Sequence, residues 1–500
     1  MPAKTRSGSL SGLDFTVVDV EVDIQNGLPK FIIVGLPDTS VQEARDRVTS
    51  ALKNSGYGFP RTHIVANLAP ADVRKEGPCF DVPIALGLLA ADGIFPTEKI
   101  QEMMFFGELA LDGALRPITG LLPLLLGARK LGQKIAVVPE ANALEAGLVP
   151  DMIILRANHL RDIVAHIQGT AKLTPVEPAK LSSEEAIYEV DLADICGQNH
   201  AKRALEIAAA GGHNLLFSGP PGSGKTLLAR ALPSLLPPLT QEELLEVMTL
   251  QSLNGSTASL TPQRPFRSPH HTTSGIALIG GGTRPKPGEV TLAHRGVLFL
   301  DEFPEFRRDA LENLRQPLED GVVSISRVSG TIKYPARFQL IAAMNPCPCG
   351  FFGDGSNKCS CTSQKLISYS KKISGPMKDR IDLHVVVPRL PTNEVLRAKP
   401  QESSHLVRER VCAARKKQAM RYQNSSFHCN QELSGKLIRK FCVLKADAEK
   451  LLETALEKLQ LSARATSRVL KVSRTLADLA GRENIEASDI AEALQFRENS

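Results

Sequence analysis

The sequence predicts an α/β protein in three parts: an α+β domain, an α/β nucleotide-binding core and an all-helical module. Three observations predict it. Short strand-like runs alternate with helical spacing over residues 10–170. The apolar run Asn214-Leu215-Leu216-Phe217-Ser218 leads into Gly219-Pro220-Pro221-Gly222-Ser223-Gly224-Lys225-Thr226, a glycine-rich loop opening a helix. From Thr392 onward only helical patterns occur, at 402–423, 445–459 and 462–481.

In the first part, Phe15–Val22 and Phe31–Val34 have strand character, the latter ended by Gly35. Residues 39–54 have helical spacing, with Gly56 as a stop signal. His63–Leu68 reads as a strand and Asp81–Ala91 as a buried helix. Residues 169–190 gather Gly169, Pro175, Pro178, Ser182, Ser183, Glu184 and Glu185, a linker composition. The expected division is 1–168, linker 169–190, core 191–391 and helical module 392–500.

Bulk properties set limits. A chain of 500 residues suggests about three domains. Apolar content of 42% and charged content of 23% suit a globular chain, and no apolar run approaches the ~18 residues of a membrane span. Asp14, Asp19, Glu21 and Asp23 interrupt the first strands, which excludes a signal-peptide core. A cytoplasmic protein with no membrane partner is expected. Nine cysteines, an odd number in a large chain, do not read as a disulfide framework. The net charge of +6 permits a nucleic-acid partner without demanding one. With no tryptophan and 5% aromatics, phosphate contacts are favoured over base stacking.

The loop 219–226 is a P-loop. Gly219, Gly222 and Gly224 allow the backbone to wrap phosphates, with Pro220, Pro221 and Ser223 completing the turn. Lys225 would reach the β- and γ-phosphates of ATP, and Thr226 would hold Mg²⁺. Gly296-Val297-Leu298-Phe299-Leu300-Asp301-Glu302 is an apolar strand ending in two carboxylates. Asp301 suits Mg²⁺ and Glu302 suits polarising the attacking water. A third strand, 338–344, ends at Asn345, whose amide could orient water near the γ-phosphate.

Cys347-Pro348-Cys349 and Cys359-Ser360-Cys361 form two C-x-C pairs. Four thiolates suit tetrahedral Zn²⁺, although C-x-C is tighter than the usual C-x₂₋₄-C; the alternative is four reduced cysteines in a loop. The other cysteines show no metal spacing.

The core resembles the AAA+ superfamily, and within its magnesium-chelatase-like branch the YifB/ComM family. Arg264-Pro265-Phe266-Arg267-Ser268-Pro269-His270-His271, the Walker-B-like strand, Asn345-Pro346-Cys347-Pro348-Cys349-Gly350, the stretch 374–382 and Ser462–Arg468 carry the resemblance, which spans nearly the whole chain. It implies a hexameric ATP-driven motor on single-stranded or branched DNA, working with recombination proteins to promote branch migration in natural transformation. It also assigns Asn345 as sensor 1, Arg380 as an arginine finger acting on a neighbouring subunit, and Arg464 as sensor 2. Arg468, one turn later on the same face, competes for that role.

Lys225 and Asp301 are 76 positions apart, more than one helix and strand need. The segment 251–290 reads as an insertion of the kind that lines a pore. Residues 322–337 read as a hairpin with Arg327 and Lys333 as candidate DNA-phosphate contacts; solvated surface charges are the equal alternative. On the helix 402–423, Arg408, Arg410, Arg415, Lys416, Lys417 and Arg421 read first as a solvated face and second as a DNA surface.

Residues 74–78 and 107–122 resemble the nucleophile region of Lon-type proteases (a ribosomal protein S5 domain 2-like fold). Cys79 stands where that chemistry needs serine and Leu122 where it needs lysine. The expectation is a Lon-like domain without peptidase chemistry. Its presence argues against one alternative, a magnesium-chelatase-like motor, which would lack such a domain; against a second, a protein-remodelling ATPase, the basic hairpin positions and net positive charge lean toward DNA over polypeptide, and no aromatic pore loop is evident.

Overall fold

The computed structural model describes all residues except 1, 180–187, 256–262, 283–285, 328–329, 356–357, 392–400, 424, 426 and 498–500, and excludes the side chain of Arg327. The described residues form two compact units. Ser182, Ser183, Glu184 and Glu185 of the expected linker lie outside them.

The first unit comprises 1–183 together with 241–261 and 326–334. Its sheet has eight strands: β1 (Ala3–Ser11), β2 (Asp14–Gln25), β3 (Lys30–Val34), β4 (His63–Ala69), β5 (Met103–Phe105), β6 (Ile135–Pro139), β7 (Ile153–Ala157) and β8 (Thr174–Pro175). Their order is β8-β7-β6-β5-β1-β2-β4-β3. The β1–β2 and β2–β4 pairs are antiparallel, whereas β3–β4, β1–β5, β5–β6 and β6–β7 are parallel. Thr174 and Pro175, expected in the linker, form an edge strand.

On β2, Val18, Val20 and Val22 are fully buried and alternate with partly exposed residues, the period of two that gives a strand one core face. Helices α1 (Thr39–Asn54), α2 (Asp81–Ala91) and α3 (Leu121–Lys130) are among the helices of this unit. Asp38 caps α1 by accepting from Val41 N at 2.8 Å. The spacing-predicted helices at 39–54 and 81–91 are both present, and α2 is buried almost throughout.

Two mid-chain segments, 241–261 and the end of a hairpin at 326–334, belong to this unit. Helix Gln241–Leu253 packs against α3, with Gly120 N donating to Ser252 O at 3.1 Å. The hairpin expected at 322–337 is present as strands Val322–Arg327 and Gly330–Pro335. At its tip, Ile332 lies so close to Gly12 that a Cβ there would sit 2.4 Å from Ile332 Cγ2. Only a glycine fits at position 12 beside Ile332.

The second unit comprises 184–240, 262–325 and 335–500. Five strands, β9 (Leu215–Ser218), β10 (Phe266–Arg267), β11 (Val297–Leu300), β12 (Gln339–Met344) and β13 (Leu383–Val386), form an all-parallel sheet in the order β10-β11-β12-β9-β13. Nearly every residue of β11 and β12 is buried, as a parallel sheet covered on both faces requires. Helices α4 (Asn199–Gly211) and α5 (Lys225–Leu235) pack on it. The C-terminal helices α6 (Ser404–Arg421), α7 (Ala446–Leu459), α8 (Ala463–Leu479) and α9 (Ala487–Gln495) share its core, and no strand occurs after Val386 among the described residues. The fold is therefore an AAA+ P-loop core with a helical lid, preceded by a Lon-protease-like α+β domain.

Candidate functional site

Strand β9 ends at Ser218 and α5 begins at Lys225, so Gly219–Gly224 must reverse direction in six residues. Gly219 is forced: a Cβ there would lie 2.1 Å from Val387 O, just past the end of β13. Gly222 and Gly224 have φ of 75° and 91°, in the region that side chains disfavour. No side chain caps α5. Its first-turn N–H groups are left for an anion. Ser223 Oγ is buried without a hydrogen-bond partner, as expected of a loop built around a ligand.

Lys225 is buried, and its Nζ donates to Gly219 O at 2.7 Å, Pro220 O at 2.9 Å and Asn345 Oδ1 at 3.3 Å. These use all three donors of the ammonium group. ATP phosphate therefore has to displace loop carbonyls to engage it. Burial lowers the Lys225 pKa, and the Asp301 carboxylate opposes that shift.

Thr226 Oγ1 donates to Asp301 Oδ2 at 2.8 Å. Two hard oxygens this close, both open to solvent, fit Mg²⁺, which takes few protein ligands and fills its octahedron with water and phosphate. Glu302 follows in the left-handed conformation (φ 51°), with its N–H donating to Asp301 Oδ1 at 2.9 Å. A non-glycine residue there is strained, a state that persists when its surroundings fix it.

His271 Nδ1 lies 3.0 Å from Glu302 Oε2. A carboxylate can only accept, so Nδ1 carries the proton and fixes the carboxylate's orientation. His271 was visible in sequence only inside a resembling motif. The rest of that motif is structural: Arg264 donates to Pro237 O and Arg295 O at 2.7 Å each, and Arg267 pairs with Glu289 at 2.7 and 2.8 Å. Gln198 also escaped the sequence reading. It ties the start of α4 to the P-loop, donating to Pro388 O at 2.7 Å and Ser223 O at 3.4 Å.

The remaining candidates are held within their own unit. Arg380 donates to Pro376 O at 2.6 Å and pairs with Glu319; its side chain is 12% exposed. Arg464, 71% exposed, reaches Asp379 at 3.1 Å. Arg468 is more buried and holds Asp379 at 3.3 Å and Ile381 O at 3.0 Å. Lys333 is exposed, while the side chain of Arg327 lies outside the described residues.

The basic helix α6 is not a free charged face. Arg410 binds Glu206 at 2.6 Å, Arg415 donates to Ala209 O at 2.9 Å, and Arg421 binds Asp478. Its arginines lock the lid to the core and to itself.

In the first unit, Cys79 is buried beside Gly8 O and burial pushes its thiol up to about 12. Leu122 is fully buried. A thiol pushed up this far is a poor nucleophile, and Leu122 offers no group that could accept its proton. Among the described residues no helix is long and apolar enough to cross a membrane.

The family model described as "Magnesium chelatase, subunit ChlI" matches residues 191–395. Its C-terminal counterpart matches 401–497, and "Subunit ChlI of Mg-chelatase" matches 20–142. A protein named YifB of Salmonella typhimurium is 46% identical over 490 residues, covering 97% of this chain and 95% of that protein. Competence protein ComM of Haemophilus influenzae is 46% identical over 492 residues, with the same coverage. This chain belongs to the YifB/ComM family. Lon protease 2 of Thermus thermophilus is 28% identical over 189 residues, covering 35% of this chain and 23% of that protein. The chain is thus an ATPase of the magnesium-chelatase-like AAA+ type, a family that implies ATP and Mg²⁺. The match at 20–142 also means that an N-terminal domain does not by itself separate this family from chelatase motors.

Proposed function

We propose that this chain is an ATP-driven ring motor that moves single-stranded or branched DNA and promotes branch migration during recombination in natural transformation. The observation that carries this reading is the convergence of Lys225, Thr226, Asp301, Glu302 and Asn345 on one loop. It occurs in a chain 46% identical, over 97% of its length, to a protein named competence protein.

Lys225 takes up the charge of the β- and γ-phosphates, Asn345 and Glu302 orient and polarise water, and Thr226 with Asp301 hold the ion. Mg²⁺, when bound, offsets phosphate charge. Zn²⁺ in the four-cysteine loop is the second resident ion of this reading. Arg380 serves a neighbouring subunit of a homo-hexamer, which requires exchange of its Glu319 contact for phosphate. Arg464 and Arg468, both on Asp379 next to it, report the lid's position to that finger. Arg327 and Lys333 contact DNA phosphates. Replacing both with alanine weakens DNA binding and reduces the slope of log affinity against log salt by about 2. An unchanged slope, measured by fluorescence anisotropy across salt concentrations, removes them from the interface.

The deciding experiment follows strand movement on a synthetic branched DNA with Mg²⁺ and ATP. The wild type moves the branch, whereas Lys225→Ala and Glu302→Gln do not. DNA-stimulated hydrolysis without movement refutes the motor reading. A second reading, a motor handing ATP energy to a partner that inserts Mg²⁺ into a porphyrin, is favoured by the match to magnesium-chelatase family models. It predicts hydrolysis indifferent to DNA.

A further inference from the structure

The stretch after Asn345 turns back on itself and brings four sulfurs together. Cys347, Cys349, Cys359 and Cys361 have their Sγ atoms all within 4.8 Å of one another. Cys347 lies 3.3 Å from Cys349 and 3.9 Å from Cys359, and Cys349 lies 3.6 Å from Cys359. None is in a disulfide. Four thiolates at Zn–S distances of about 2.3 Å around a tetrahedral ion stand about 3.8 Å apart, so the cluster already has the size of a Zn–S₄ site. Cys347 is fully buried, and Phe352 N donates toward its Sγ at 3.4 Å, the outer contact that steadies a metal thiolate.

The same loop touches the nucleotide machinery. Cys347 is two residues beyond Asn345, whose amide oxygen accepts from Lys225, with Pro346 between them restricting the backbone. Gly350 closes a turn onto Cys347 O at 3.0 Å with φ of 88°. A Cβ there would lie 2.8 Å from Pro221 Cδ in the P-loop and 3.9 Å from Asn345 Cγ. The loop is pressed onto both walls of the ATP site, and only glycine permits that approach.

We propose that the four cysteines bind one Zn²⁺ per chain and that this ion clamps Asn345 and the P-loop in their working positions, making ATP hydrolysis dependent on an intact thiolate site. The coupling rests on the hydrolytic reading of the nucleotide site, whereas the metal site does not. A loop of 15 residues with this glycine content has little core of its own, so the ion supplies the order that the loop passes to Asn345.

The test has two readouts. Metal analysis of the full-length protein purified without chelator gives about one zinc per chain, and Cys359→Ser/Cys361→Ser gives none. No metal, or iron in its place, overturns the site. Chelator-stripped wild type, assayed with Mg²⁺ resupplied, hydrolyses ATP about tenfold more slowly and recovers when Zn²⁺ is returned. A rate within about twofold of the loaded protein overturns the coupling. Should stripping unfold the chain by circular dichroism, Gly350→Ala decides: it retains zinc and hydrolyses several-fold more slowly, and an unchanged rate overturns the clamp. A zinc-loaded wild type with no hydrolysis refutes the hydrolytic reading, and the coupling with it, while the zinc count still decides the site.

Discussion

Glu302→Gln lowers the rate of ATP hydrolysis by about 10²–10⁴-fold, the contribution of a positioned base, while ATP affinity stays within about threefold. The amide keeps the shape and loses the charge that polarises water. It leaves untouched the groups that hold the nucleotide: Lys225, Thr226 and Asp301 make no hydrogen bond through the Glu302 side chain. Lys225→Ala behaves differently. It removes the cation facing the phosphates and empties a buried position linking Gly219, Pro220 and Asn345, so affinity and rate fall together. Equilibrium binding of a fluorescent ATP analogue beside steady-state phosphate release separates the two variants. A Glu302→Gln protein that hydrolyses normally would remove Glu302 from the chemistry.

Asp478→Ala destabilises the second unit by about 3–5 kcal/mol, the cost of stranding a buried charge partner. Asp478 is buried and accepts from Arg421 at 2.5 and 2.9 Å, from Arg474 at 3.0 Å and from Asn430 Nδ2 at 2.9 Å. Its removal leaves two guanidinium groups, one of them 1% exposed, without their carboxylate. Against a typical total stability of 5–15 kcal/mol, that loss approaches unfolding at working temperature. The urea midpoint of the purified variant measures it. A shift worth less than about 1 kcal/mol, the scale of an exposed ion pair, would place Asp478 on a solvated surface instead. Because α8 carries Arg464 and Arg468 on the same helix, a milder Asp478→Asn change should also lower hydrolysis.

These two sites differ in how far sequence could reach them. The ATP site was legible because phosphate binding demands a glycine-rich turn between a strand and a helix, and the carboxylates demand a strand end. Both requirements are local and leave fixed spacings. Asp478 gave no signal in sequence, since nothing in its i,i+4 spacing from Arg474 tells which face of α8 the core covers. The arginines of α6 failed in the same way: spacing suggested a solvated face, and packing turned three of them onto Glu206, Ala209 O and Asp478.

By itself, then, the sequence determined the parts whose chemistry is local: the P-loop, the acidic strand end, Asn345, the two C-x-C pairs and a Lon-like domain with its nucleophile and base replaced. Only the tertiary structure decided what depends on residues distant in the chain. It set His271 against Glu302, closed four sulfurs into one cluster, laid Gly350 on Pro221 and paired Arg380 with Glu319. Local motifs follow from backbone geometry over a few residues, whereas these contacts join positions 10 to 129 residues apart, and no periodicity or spacing records which of them the packed core brings together.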